Sequence, residues 1–228
     1  MKKSAALLTL ILCGFAGLVK AQTQDAQLWE NIYLEKMLSK KSSIHFNHEG
    51  RISNNISQFS YAYGDFGYTG EIIKNLSYSV DYVLVLKKIR DTPSTRHQWY
   101  VDLSYKIKMD PLSISFRSMF QQQVQDVYSS DAGAIPEDYW RNKITVKYSF
   151  EKYPWYKIKP YAAAEFYDFL DRNTKYQPGL NRIRYFAGIF YSINKKNEIE
   201  VYYLIENNFN VNNPPVNYVT GLGYAKTF

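Results

Sequence analysis

The chain is expected to be all-β, an antiparallel up-and-down transmembrane β-barrel of about 10 to 12 strands, on three observations. Segments of about 10 to 13 residues with apolar–polar alternation recur between turn-rich pieces. Aromatics make up 17% of the residues, with 22 tyrosines, which is more than a soluble core uses but suits rings placed at two membrane interfaces. Beyond the first residues no apolar run is long enough for a membrane helix. The mean hydropathy of -0.40 does not oppose a barrel, because alternate residues of each strand meet lipid and a polar interior and the average cancels.

The opening "MKKSAALLTLILCGFAGLVKAQTQ" has Lys2 and Lys3, an apolar run from Ala5 to Val19, and small Ala21 before Gln22. This is the layout of a secretory signal peptide, too short to span a bilayer. Residues 1–21 are therefore expected to be cleaved and 22–228 to form the barrel domain. Cys13 lies inside the run behind Leu12, where a lipoprotein signal would carry a small residue. Without the signal the chain has no cysteine, so neither a disulfide nor a cysteine-ligated metal is available. Loss of Lys2, Lys3 and Lys20 takes the formal charge from +7 to +4, which, with export, argues against nucleic acid as a partner.

Eleven segments read as strands: 28–38, 43–52, 58–69, 76–88, 97–108, 112–123, 139–150, 158–169, 181–193, 198–207 and 217–228. In 97–108, Trp99, Val101, Leu103, Tyr105 and Ile107 share one face, opposite Gln98, Tyr100, Asp102, Ser104, Lys106 and Lys108. In 139–150, Trp140, Ile144, Val146, Tyr148 and Phe150 oppose Arg141, Lys143, Thr145, Lys147 and Ser149. Soluble strands are mostly about 5 to 6 residues long, whereas a tilted strand crossing a bilayer needs roughly 9 to 11, so the lengths favour the membrane over a soluble sandwich.

Tight turns are expected at 38–43, 71–75, 108–111, 151–157 and 193–197, and longer links at 53–57, 89–96, 124–138, 170–180 and 208–216. Short and long alternate, as do the periplasmic turns and extracellular loops of outer-membrane barrels, which would place the last strand's end at the periplasmic rim. An odd count conflicts with the even numbers of bacterial single-chain barrels. Either 28–38 is no ordinary wall strand, leaving ten, or an unread strand makes twelve.

The segments "QLWENIYLEKMLSKKSSIHFNHEGRI", "YWRNKITVKYSF", "RIRYFAGIFYSINKKNEIEVYYLIE" and the terminal "GLGYAKTF" together resemble a family of uncharacterised outer-membrane β-barrel proteins of Gram-negative bacteria, over most of the mature chain. That family is a domain of unknown function, so the resemblance implies the fold and a bacterial outer-membrane location, and supplies no catalytic residues. The last strand also resembles the signal read by the barrel assembly machinery, with Phe228 terminal and Tyr224 and Leu222 at alternate positions; Lys226 departs from it. The implied partners are that machinery, with Tyr224 and Phe228 as assembly signal, and outer-membrane lipids.

Folding each hairpin about its tight turn pairs lumen charges across strands: Asp102 with Arg117, Lys143 with Glu165, Arg184 with Glu206, and Glu30 towards Arg51. Two readings follow. The pairs brace the wall and close the bore, or Arg117, Arg141, Lys143, Arg182 and Arg184 form a constriction favouring anions. The first makes the protein a non-conducting structural or interaction subunit of the envelope, with the loop at 124–138 as a place for a protein partner; the second makes it a narrow passive channel for small polar or anionic solutes.

A lipid-modifying enzyme would need a nucleophile or base held by a partner, and none stands in a recognisable context. In "IHFNHEGR", His45 and Glu49 share a face and His48 has the other, so these three cannot converge on one metal ion. No enzyme activity, metal site or cofactor is therefore expected. The "GDFGYTG" stretch reads as strand glycines beside Tyr61, Tyr63 and Tyr68 rather than a phosphate loop. Trp29, Trp99, Tyr139, Trp140, Tyr148, Tyr153, Trp155, Tyr156, Tyr167, Tyr176 and Tyr218 are expected in interface girdles, while Tyr100 and Tyr202 would face the lumen.

Overall fold

The computed structural model describes residues 24–89, 92–125, 136–150, 157–170, 178–210 and 214–228. The expected signal peptide, the turn at 151–157 up to residue 156, the aromatics Tyr153, Trp155, Tyr156 and Tyr176, and most of the loop at 124–138 lie outside these residues. Eleven strands form: β1 (Gln24–Met37), β2 (Ser42–Ser53), β3 (Gln58–Ile73), β4 (Leu76–Ile89), β5 (Thr92–Met109), β6 (Leu112–Gln125), β7 (Glu137–Tyr148), β8 (Ile158–Phe169), β9 (Gly179–Asn194), β10 (Asn197–Asn208) and β11 (Val216–Thr227).

They close into one barrel in chain order, each antiparallel to its sequence neighbours. The exception is the seam, where β1 runs parallel to β11 from Gln24 opposite Val216 to Glu35 opposite Thr227. The segment suspected of not being a wall strand is one, and among the described residues the strands number eleven, neither ten nor twelve. When consecutive strands alternate in direction, an odd number leaves the first and last pointing the same way, so closure requires a parallel pair. The N–H of Phe228 donates to the carbonyl of Glu35 at 2.9 Å, carrying the seam to the last residue. At its other end the Asn55 N–H donates to the Asp25 carboxylate at 2.7 Å and the Ile56 N–H to the Ala26 carbonyl at 3.0 Å, which ties the β2–β3 turn to the start of β1.

The turns at 38–41, 74–75, 110–111 and 195–196 lie on one rim with Phe228. The end of β7 and the start of β8 lie on that rim too, the Ser149 N–H donating to the Pro111 carbonyl at 2.9 Å, and the opposite rim carries the turn at 54–57. The expected alternation of short turns and longer links fails between β4 and β5: most of 89–96 is strand, and Ile89 already pairs with Thr92.

Alternation sorts each strand into two faces. Val80, Tyr82, Leu84 and Leu86 of β4 and Trp99, Val101, Leu103 and Tyr105 of β5 point outward and are 40–53% exposed. Their in-between neighbours Ser79, Asp81, Gln98 and Asp102 point inward and are buried. An apolar cluster of Trp29, Tyr161, Ala163, Tyr202, Leu204 and Val219 fills part of the interior. Trp99, Phe120 and Trp140 stack as an outer chain with centroid spacings of 5.6 and 6.4 Å, as expected of a girdle. Trp29 and Tyr167 instead turn inward, 3% and 5% exposed, and Tyr139 lines the lumen, because each has the parity of its strand's polar face.

The seam is close-fitting on its inner side. Tyr202 lies across Gly221, where a Cβ would fall inside the phenol ring. Gly221→Val is expected to destabilise the barrel by about 1–3 kcal/mol through overpacking. The second change Tyr202→Ala should recover much of that loss. The urea midpoints of the four proteins of this cycle, read from the folded band on unheated gels, check the coupling.

Candidate functional site: the charged lumen

One cross-strand row carries most of the lumen charge. Successive pairings link Arg117 of β6 to Lys143 of β7, Lys143 to Glu165 of β8, Glu165 to Arg184 of β9, Arg184 to Glu206 of β10, and Glu206 to Asn217 of β11. Inward-facing residues at matching register share a level, so hairpins distant in sequence contribute to one belt.

Glu165, only 2% exposed, is its hub. It accepts hydrogen bonds from Arg117 Nη2 at 2.6 Å, Arg141 Nη2 at 2.8 Å and Tyr167 Oη at 3.1 Å, with Arg184 Nη1 at 3.8 Å. Glu206 accepts from Arg184 Nε at 2.7 Å and Asn217 Nδ2 at 2.8 Å, and Arg182 Nη1 stands 3.7 Å away. The guanidiniums also lie over aromatic faces: Arg141 over Tyr167 at 4.4 Å, and Arg51 over Trp29 at 3.7 Å and Tyr61 at 4.2 Å. Each buried cation thus has a carboxylate, a ring face, or both in place of water.

Of the pairings expected from the hairpins, Arg184 with Glu206 forms as expected. Lys143 stands opposite Glu165, but its ammonium lies over the Phe186 ring at 4.3 Å while Arg117 and Arg141 take the carboxylate. Asp102 is two residues out of step with Arg117: it opposes Met119 and accepts from Ser79 at 2.9 Å and Ser104 at 3.1 Å. Glu30 is one residue out of step with Arg51. It opposes Gly50, faces outward, and meets His48 Nε2 at 3.2 Å, while Arg51 pairs with Glu49 at 2.6 Å. The turn conformation sets the register, and a one-residue offset moves a side chain through the wall. Trp29, Glu49 and Tyr167 were not foreseen as part of the belt, and Arg51 was expected in the lumen with Glu30 as its partner; strand parity places all four there.

Among the described residues, two cavities can be distinguished in the lumen. One of about 800 Å³ is lined by Arg51, Arg117, Arg141, Arg182, Arg184, Glu165 and Glu206 among others. The second, of about 370 Å³, holds Lys106, Lys147, Tyr161 and Glu200. Glu49, Lys143, Phe186 and Tyr202 line both and form the waist between them.

Because Glu165 holds two guanidiniums in direct contact, Glu165→Gln leaves the more buried one, Arg141, uncompensated and takes the carboxylate from Arg117. A destabilisation of about 3–5 kcal/mol is expected. Ser104→Ala, which removes one donor from Asp102, should cost no more than about 1.5 kcal/mol. Urea midpoints of the refolded barrels measure both.

No curated protein matches the chain in sequence. Among solved structures, the NanC porin aligns with a TM-score of 0.50 at 11% identity, over 79% of this chain and 86% of that one. A bacterial polysaccharide outer membrane secretin aligns with a TM-score of 0.51 at 10% identity, over 81% of this chain and 74% of that one. At such identities the likeness is one of fold, that of outer-membrane β-barrels. Residues 26–217 match the family model described as protein of unknown function (DUF2490), and the chain belongs to that family.

Proposed function

We propose that the protein is an integral outer-membrane barrel whose lumen passes small anionic solutes. The observation that carries this reading is the sign of the larger cavity: among the described residues nine lysines and arginines line it against six aspartates and glutamates. A lining of net positive charge, with guanidiniums stacked on rings, attracts anions and holds them by charge-assisted hydrogen bonds at sites weak enough to release them. Arg117 and Arg182, whose side chains are 30% and 31% exposed, offer the accessible donors. Residence in the membrane is supported by the apolar outer face, since a closed barrel leaves no strand edge unpaired in lipid.

The second reading, a non-conducting barrel, is favoured by the waist at Glu49, Lys143, Phe186 and Tyr202 and by the density of ion pairs above it. Conductance in planar bilayers separates the two. The channel reading expects resolved steps, a reversal potential in a salt gradient showing anion preference, and loss of much of that preference in Arg182→Ala. Silence at all voltages would leave the closed barrel.

Delivery to the membrane is assigned to the assembly machinery acting on β11, with Tyr224 outward and Phe228 49% exposed at the rim. The Lys226 ammonium lies 4.5 Å from the centre of the Phe228 ring and covers it. Phe228→Ala is expected to reduce the amount of folded barrel in outer-membrane fractions several-fold and Lys226→Leu to leave it near normal; equal amounts of all three proteins would refute the role of Phe228.

A further inference from the structure

Opposite the cationic belt, β2, β3 and β4 build a corner of different chemistry. His45 pairs with Gly67, and Gly67 with Asp81, in one cross-strand row. Because Gly67 has no side chain, the imidazole reaches across β3 and His45 Nε2 comes within 2.7 Å of Asp81 Oδ1; a Cβ at residue 67 would overlap both groups. Asp65 joins them, so that one nitrogen and two carboxylate oxygens lie within 4.8 Å of one another. All three side chains are more than nine-tenths buried: Asp65 and Asp81 are 3% exposed as residues and the His45 side chain 8%.

Two features show that the corner is incomplete by itself. Asp65 Oδ1 is buried with no hydrogen-bond partner, although Oδ2 accepts from Tyr100 at 2.5 Å. Asp81 Oδ1 is held only by the ion pair with His45 Nε2 at 2.7 Å, and His45 Nδ1 is buried with no hydrogen-bond partner. The second is charge. Ser79 lies between Asp81, at 2.5 Å, and Asp102, at 2.9 Å, and its single proton cannot serve both. Asp65 and Asp81 therefore share one imidazole, with Asp102 beyond Ser79, and among the described residues Asp65 has no ion-pair partner. Leaving negative charge uncompensated in such a place is costly.

We propose that His45, Asp65 and Asp81 bind a divalent transition-metal cation inside the barrel. One imidazole and two carboxylates form a mixed nitrogen–oxygen set suited to zinc or manganese, with remaining positions open to water. Asp65 borders the larger cavity, which gives the ion its way in. The site is independent of the anion belt and of whether the bore conducts.

The test uses the full mature barrel without an affinity tag, refolded in detergent, freed of metal with a chelator and titrated with Zn2+ by calorimetry and with Co2+ by visible absorption. One equivalent is expected. His45→Gln, which keeps a donor beside Asp81, and Asp65→Asn, which keeps an acceptor for Tyr100, should each weaken Zn2+ binding at least tenfold. The chain has three histidines, so His48→Gln combined with His97→Gln leaves His45 as the sole imidazole; this variant should retain the equivalent and a nitrogen-ligated Co2+ spectrum. No saturable uptake by the folded wild type overturns the proposal, as does uptake that survives His45→Gln or is lost in the double variant. If the single variants fail to fold, the wild type and double variant decide it alone.

Discussion

Everything in this molecule depends on closing the sheet. A strand edge facing lipid would expose a row of N–H and C=O groups with nothing to bond, at several kcal/mol each, so each of the eleven strands must have two neighbours. With an odd number the two termini can meet only side by side in the same direction. The parallel seam between β1 and β11 is thus the consequence of the count. It also explains the packing inside it: Gly221 gives room to Tyr202, and Val219, Leu204 and Trp29 fill the adjoining interior.

Closure fixes a narrow lumen, and a narrow lumen forces its polar groups to satisfy one another. Burying an arginine is tolerable only when a carboxylate and further donors or rings take the place of water. The belt meets that demand by sharing: Glu165 serves Arg117 and Arg141, and Tyr167 both donates to Glu165 and accepts from Arg184 at 2.5 Å. Cations still outnumber anions around the larger cavity, while the corner at Asp65, Asp81 and Asp102 has the opposite excess. The lumen is accordingly polarised across its width rather than mixed throughout.

Much of the fold was legible because its signals are local. A period of two over about ten residues marks a membrane strand wherever it occurs, and turn-rich pieces mark the ends, so strands such as 112–123 and 158–169 fall within a few residues of β6 and β8. The loop expected at 89–96 failed because Thr, Arg and Pro read as irregular in isolation, while the ladder from Ile89 opposite Thr92 keeps the segment extended. Register was harder. The hairpin at 195–196 gave the right pairing for Arg184 and Glu206, but those at 38–41 and 110–111 are offset by one and two residues, since a turn's conformation, not its length alone, sets which residues face each other.

The sequence by itself determined the strands and the two chemistries of their faces, because alternation depends only on neighbouring residues. Tertiary structure decided which charges meet. Arg117 reaches Glu165 across β7, and His45 reaches Asp81 across a glycine, by contacts that exist only once the sheet has curved shut. It also decided that the first strand belongs in the wall, because no property of residues 24–37 alone indicates that their partner lies at the other end of the chain.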